Sequence, residues 1–415
     1  MEFNKSNRFS NKTSNLIHYK GEIGEFDYDP NIWEIGKDLG GFDHLHFKNV
    51  HVEDLEIPKG LTSCYRMFND CKLPENFTLG DNFDTFNITD MKDMFNNCKL
   101  SEGFTLGNNF NTKNVTNMAG MFYGCTLPKN FTLGDKFDTS KVTDMQYMFS
   151  NCRLSKNFTL GDKFDTSKVW SMKSMFRNCE FPENFSLGNK FNTKNVVVMS
   201  SMFEFCDFSK NFSLGDKFDT SNVVSVYNMF YKCVLSKNFT LGYKFDTSNV
   251  IDMTGLFTGC NLPSNFTLGD KFDTSNVKNM RFMFYECQLP ENFSLGDKFD
   301  TSNVIDMTGL FTGCNLPSNF TLGDKFDTSN VENMSSMFAY CKIPENFSLG
   351  NKFYTSNVKD MSGMFNGCRF PENFSLGNTF DVSNVKSVES MFKDCKMSDS
   401  FKEKYKDLIL KIITK

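Results

Sequence analysis

Residues 260–286 read C-N-L-P-S-N-F-T-L-G-D-K-F-D-T-S-N-V-K-N-M-R-F-M-F-Y-E, and Cys287 opens the same phrase again. Thirteen of the 14 cysteines, from Cys71 to Cys395, follow one another at steps of 27 residues without insertion or deletion. A strict period of this length marks a stack of identical supersecondary units, each of which buries its apolar side only against its neighbours. Lys244–Val277 recurs unchanged as Lys298–Val331, two periods later, so part of the array is a copied two-repeat block.

Each unit has two halves. In the first, V-x-x-M-x-x-M-F-x-x-C places Val277, Met280, Met283, Phe284 and Cys287 at i, i+3, i+6, i+7 and i+10. That spacing predicts one apolar face of a short helix. The preceding Asp273, Thr274, Ser275 and Asn276 are residue types that cap helix N-termini. Asp252 and Asp306 fall where an acid suits the first helical turn. In the second half, Phe293 and Leu295 point inward and Ser294 outward, as in a short strand closed by Gly296. Pro290 suits the entry turn to that strand.

The expected fold is therefore an α/β solenoid, leucine-rich-repeat-like, with about 13 coils of a 27-residue strand–turn–short-helix unit. Residues 1–43 form an N-terminal segment and cap in which Trp33 covers the first edge. The repeats occupy 44–397, with a degenerate first coil from His44 and regular units from 71. Leu61, Cys64, Met67 and Phe68 stand at the V-M-M-F positions of that first coil. Residues 398–415 read as an amphipathic capping helix with Phe401, Tyr405, Leu408, Ile409 and Ile412 on one side.

Composition narrows the function classes. The 415 residues hold 49 Phe and 23 Met, 39% hydrophobic content and a net charge of −5. That is too apolar for a disordered polymer, and it offers no basic field for nucleic acid or anionic lipid. No apolar run reaches the ~18–20 residues of a membrane helix, so no integral membrane segment is expected. The N-terminus has no signal-peptide pattern, which on its own favours a cytoplasmic setting.

Candidate chemistry is sparse. The cysteines lack the close pairing of zinc sites and read as core. The four histidines, His18, His44, His46 and His51, all precede the regular array. Asp43, His44 and His46 alternate as metal ligands can, but polar decoration of an edge strand explains them as well. No phosphate loop, nucleophile elbow or HExxH occurs. The expectation is a protein that is not an enzyme and has no catalytic residue, metal or cofactor.

Variation among units concentrates on outward positions of the V-to-C segment. Tyr147, Arg177, Phe205, Tyr227, Tyr231, Arg281, Phe282, Tyr285 and Tyr340 lie there. Tyr and Arg anchor protein interfaces, so these nine form the candidate surface for a protein partner.

The string from Phe272 to Cys287, F-D-T-S-N-V-x-x-M-x-x-M-F-x-x-C in general form, resembles the BspA-like leucine-rich-repeat surface proteins. Long arrays of this type occur in mycoplasma lipoproteins, gut bacteria and parasitic protists. The resemblance implies a solenoid without catalytic residues, a role in adhesion or protein binding, and a place at the cell surface. Three functional expectations result. The first is a scaffold or host-interaction factor presenting an extended binding surface; the others are an adhesin exported by an unrecognised route and a self-associating structural protein.

Overall fold

The computed structural model describes residues 16–37, 43–48, 55–208 and 211–414. His51 and the first 15 residues of the expected N-terminal cap lie outside them. The chain divides into two compact units, Met1–Pro182 with Leu187–Phe191, and Glu183–Ser186 with Asn192–Lys415.

The first unit opens with two antiparallel hairpins. β1 (Ile17–Gly21) pairs with β2 (Gly24–Tyr28), and β3 (Trp33–Lys37) pairs with β4 (Asp43–Phe47). Phe26 and Tyr28 alternate inward while Glu25 and Asp27 face out. Trp33 is buried, with its ring 5.5 Å from Phe47 and 6.1 Å from Phe68 of the first coil. The segment from His44, expected as a degenerate coil, is thus a hairpin strand, and its Phe47 amide donates to Met67 O at 2.7 Å. Leu61, Cys64, Met67 and Phe68 are buried, as the repeat register predicts.

The inward columns of the repeat are those read from the sequence, but the backbone that carries them is not helical. Val277, Met280, Met283, Phe284 and Cys287 are all fully buried. Among the described residues, however, no helix precedes Asp399. The short-helix half of the expected α/β unit is corrected accordingly. Met280 to Met283 is a turn closed by the Met283 amide on Met280 O at 3.2 Å, with Phe282 at φ +56°. Phe284 to Cys287 repeats it, closed at 3.0 Å with Glu286 at φ +51°. An i→i+3 bond with positive φ at the third residue is the type II pattern. Alternate amides leave the coil. Those of Met280, Phe282, Phe284 and Glu286 donate to Asp306, Thr308, Leu310 and Thr312 of the next coil at 2.7–3.0 Å. Every amide from Met280 to Cys287 except that of Arg281 therefore has either an intra-turn or an inter-coil carbonyl among these bonds. Arg281 N donates to Asn279 Oδ1 at 3.1 Å, so none is left for an α-helical ladder.

The expected helix caps are also turn residues. Asp273 Oδ1 accepts from Ser275 N at 2.9 Å, and Asp306 Oδ1 from Thr308 N at 2.9 Å. These are Asx turns that steer the chain into the next bend. Strand pairing shrinks to single parallel bridges, as in Asp252–Asn279–Asp306–Asn333 and Lys342–Arg369–Lys396.

Side-chain ladders fill the interior. In the second unit the Phe284 and Phe311 rings stack 5.7 Å apart, and Phe299 and Phe326 6.4 Å apart, with planes within 2°. Cysteine thiols continue the pattern, as Cys314 Sγ donates to Phe284 O and Cys341 Sγ to Phe311 O, both at 2.9 Å. Beside them runs a buried threonine column. Thr247, Thr274 and Thr301 donate to the carbonyls of Asp273, Asp300 and Asp327 at 2.7–2.8 Å.

At the C-terminus the expected single helix is two, α1 (Asp399–Lys404) and α2 (Lys406–Thr414), interrupted at Tyr405 (φ −112°, ψ 23°). Ser398 caps α1 by accepting the Phe401 amide at 3.2 Å. Phe401 is buried 5.1 Å from Phe370, and Tyr405 is pinned by a 2.8 Å hydrogen bond to Ser375. Leu408, Ile409 and Ile412 are half-buried.

Candidate functional site

The nine residues chosen from the sequence all lie on the paired-turn segments, so their face is a turn face, not a helical one. Tyr147 (+58°), Phe205 (+59°), Phe282 (+56°) and Tyr340 (+57°) have left-handed φ. The other five occupy ordinary positions of the same turns.

In the first unit, Tyr147 and Arg177 are half-buried, and Arg177 O accepts the Asn151 amide of the preceding coil at 2.7 Å. Lys173 Nζ stands 5.8 Å from the Tyr147 ring centre, within cation–π range. In the second unit, Phe205 meets Tyr231 edge to face at 5.3 Å, and Phe282 meets Tyr285 likewise at 5.7 Å. The Arg281 guanidinium lies 5.6 Å from the Phe282 ring, and Lys232 Nζ 5.6 Å from that of Tyr231. Burial pushes the Tyr285 hydroxyl above its ordinary value, helped by Glu286 and by Tyr231 two coils away. The coil between them carries Gly255 and Gly259, so the aromatic groups flank a stretch bare of large side chains. Tyr227 and Tyr340 are exposed, and Tyr340 lies over Gly367, where a Cβ would come 2.5 Å from its Cδ1.

A second feature escaped the sequence reading. Within each unit the residue after each core Val lies on a backbone ladder; in the second, Val224 N donates to Val197 O at 3.0 Å and Ile251 N to Val224 O at 2.9 Å. In the second unit this column carries Val197, Val224, Ile251 and Ile305, 37–49% exposed, interrupted by Lys278. In the first unit Thr62, Thr89, Thr116 and Thr143 precede an exposed Trp170 in the same column. The signal was present as a 27-residue column, but a window sliding along the chain cannot show it, because polar neighbours surround each member.

Little here suggests chemistry. Asp43 Oδ2 accepts the Tyr19 hydroxyl at 3.0 Å, and His44 is buried 5.6 Å from the Tyr65 ring. Among the described residues, no three of His, Cys, Asp and Glu are grouped to hold a metal ion. No described helix is long and apolar enough to cross a membrane.

No curated protein and no solved structure matches the chain. One family model matches five times in overlapping stretches, over residues 62–181, 154–265, 211–319, 264–365 and 315–407. Those stretches tile the whole repeat array, and the chain belongs to the family described as Mycoplasma protein of unknown function, DUF285.

Proposed function

We propose that this chain is a non-enzymatic repeat protein whose turn face, in its second unit, binds a protein partner. The units are read as coils of a solenoid related to leucine-rich repeats, with the paired turns held between two bridge positions, as Met280–Cys287 lie between Asn279 and Gln288. One observation carries the functional reading. Large aromatic side chains occupy left-handed positions where the same column mostly has Gly, Asn or Asp, as Gly313, Asn178 and Gly367 do in the column of Phe205 and Tyr340; Lys232 and Glu286 are the other large residues there. A bulky residue in that conformation costs on the order of 1–2 kcal/mol. Strain retained on an exposed face points to a use other than folding. Phe205 and Tyr340 remain 40% and 63% exposed in those positions.

The resemblance to BspA-like surface proteins supports adhesion as the form this binding takes, and the exposed Val–Ile column adds apolar area beside the turns. The test is a paired measurement on Phe205→Asn with Tyr340→Asn. The melting temperature should stay constant or rise, the gain being about 1 kcal/mol. Crosslinking of the purified chain to its partner in cells of the native source should fall at least about tenfold. A variant that melts lower yet crosslinks as well as the wild type would sink the proposal. If concentration-dependent light scattering of the pure wild type is lost in the variant, the partner is a second copy of the chain.

A further inference from the structure

Two large aromatic side chains of the first unit stand in solvent where other coils carry polar residues. Phe86 is 50% exposed and Trp170 48%, whereas the other tryptophan, Trp33, is buried. Phe86 heads a column continued by Lys113, Ser140 and Ser167, and Trp170 follows Thr89, Thr116 and Thr143 in its own. Among the described residues neither ring meets another ring, so folding gains little from their size. Asn114 ties the strip between them together. Its Nδ2 donates to Phe86 O at 2.8 Å, and its Oδ1 accepts from Lys141 Nζ at 2.8 Å.

The exposed threonines on the way to Trp170 are fixed in their chemistry. Thr116 N donates to Thr89 O and Thr143 N to Thr116 O, both at 2.8 Å, and Trp170 N donates to Thr143 O at 3.0 Å. The hydroxyls of Thr116 and Thr143 donate to the same two carbonyls at 3.2 Å. A hydroxyl has one proton, so these oxygens meet solvent as acceptors. A matching ligand must supply donors, one for each coil of about 4.8 Å. Charge is added by Lys141 and by Lys168, which is exposed and has no ion pair or hydrogen bond among the described residues. The neighbouring Asp90 and Asp144 are half-buried and accept the turn amides of Lys92 and Gln146 at 3.0 Å. The face therefore offers aromatic rings, acceptor oxygens and cations together.

We propose that this face of the first unit binds a linear acidic polysaccharide. Trp170 and Phe86 are the stacking platforms, the threonine oxygens accept from sugar hydroxyls, and Lys141 and Lys168 meet the carboxylates. An extended pyranose chain carries hydroxyl donors on every ring and advances by nearly one coil per ring, so it keeps step with the ladder. The C–H-lined face of such a ring suits an aromatic surface, and Phe86 and Trp170 lie three coils apart, about 14 Å. An extended peptide repeats the same side-chain face only about every 6.8 Å and loses step with the coils. The site is separate from the turn face of the second unit and does not depend on it.

Because Trp33 is buried, the acrylamide-quenchable emission of the folded full-length chain reports Trp170. Polygalacturonate should shift that emission to the blue and shield it from acrylamide. Cellohexaose, which has the rings without the acid, should bind at least about tenfold more weakly. Poly-L-glutamate, which has the acid without the rings, should leave the emission unchanged. Phe86→Ser installs the residue that Ser140 already supplies in that column, so the fold is kept and affinity for polygalacturonate should fall at least about tenfold. Lys141→Asn with Lys168→Asn should remove the preference for polygalacturonate over cellohexaose. An unchanged Trp170 emission with polygalacturonate, or an equal response to poly-L-glutamate, would overturn the proposal. Equal affinity for cellohexaose would overturn the acidic part of it. All three are read on the wild-type chain, so they stand even if a variant does not fold.

Discussion

Two kinds of residue decide this structure quietly, the left-handed turn positions and the buried threonines. Asn, Asp, Ser and Gly hold most turn positions because their small or self-bonding side chains tolerate positive φ. Where a large residue intrudes, the next coil yields. The Phe282 ring lies over Gly309 (φ +61°), where a Cβ would come 2.5 Å from it. Threonine was read from the sequence as part of a helix cap, yet Thr274 is fully buried with Oγ1 2.7 Å from Asp300 O. Thr274→Val keeps the shape and removes the donor, leaving a buried carbonyl short of one bond. It should destabilise the chain by about 1–3 kcal/mol, seen as a lower midpoint in urea. Thr274→Ser, which retains the hydroxyl, should cost less; equal losses would assign the effect to the methyl group instead.

The element is the 27-residue unit, and its boundaries are set by register, not by a loop. Each coil hands every second turn amide to the coil behind it, so a unit is satisfied only inside the stack. Removing Val304–Asn330 deletes one whole period and brings Asn303 to Val331, as it stood to Val304 before. Carbonyls and amides then find partners of the same type one coil on. The shortened chain should keep a cooperative melt, whereas deleting 13 residues from the same place should abolish it. Loss of cooperativity in the 27-residue deletion would contradict the register argument. The end element behaves differently, because α1–α2 leaves the 27-residue pattern and packs on the preceding coil through Phe401 and Tyr405.

At the scale of the whole molecule, identical local devices add up. The Asx-turn column holds Asp138, Asp219 and Asp273, whose carboxyls lie below their ordinary value. Burial opposes that shift, but the hydroxyl and amide of Ser140, Ser221 and Ser275 outweigh it, with nearby lysines assisting. Such a carboxyl holds its proton more weakly folded than unfolded. Its contribution is complete above the ordinary Asp value, about 3.9, and is lost as pH falls through the lowered one. The melting temperature should therefore drop steeply below about pH 4. The column already tolerates asparagine, for Asn111 and Asn192 make the same turn at 3.0 Å. Replacing the three aspartates by Asn should flatten the acid limb and modestly lower stability at pH 7, because the turn bond is kept but the charge is lost. An unchanged acid limb would place the titrating groups elsewhere.

What the sequence determined by itself was periodic and side-chain based. The 27-residue step, the buried Val, Met, Phe and Cys columns, the inward Phe293 and Leu295, and the aromatic outward positions could all be read from it, because burial follows the polarity of each column. The path of the backbone could not be. Apolar residues at i, i+3, i+6 and i+7 satisfy a helix and a pair of type II turns equally well, since both bring the third or fourth neighbour to the same side. The choice rests on where the amides of Met280, Phe282, Phe284 and Glu286 find acceptors. Those acceptors are carbonyls about 26 residues away in the next coil, so only the stacked tertiary structure could decide it.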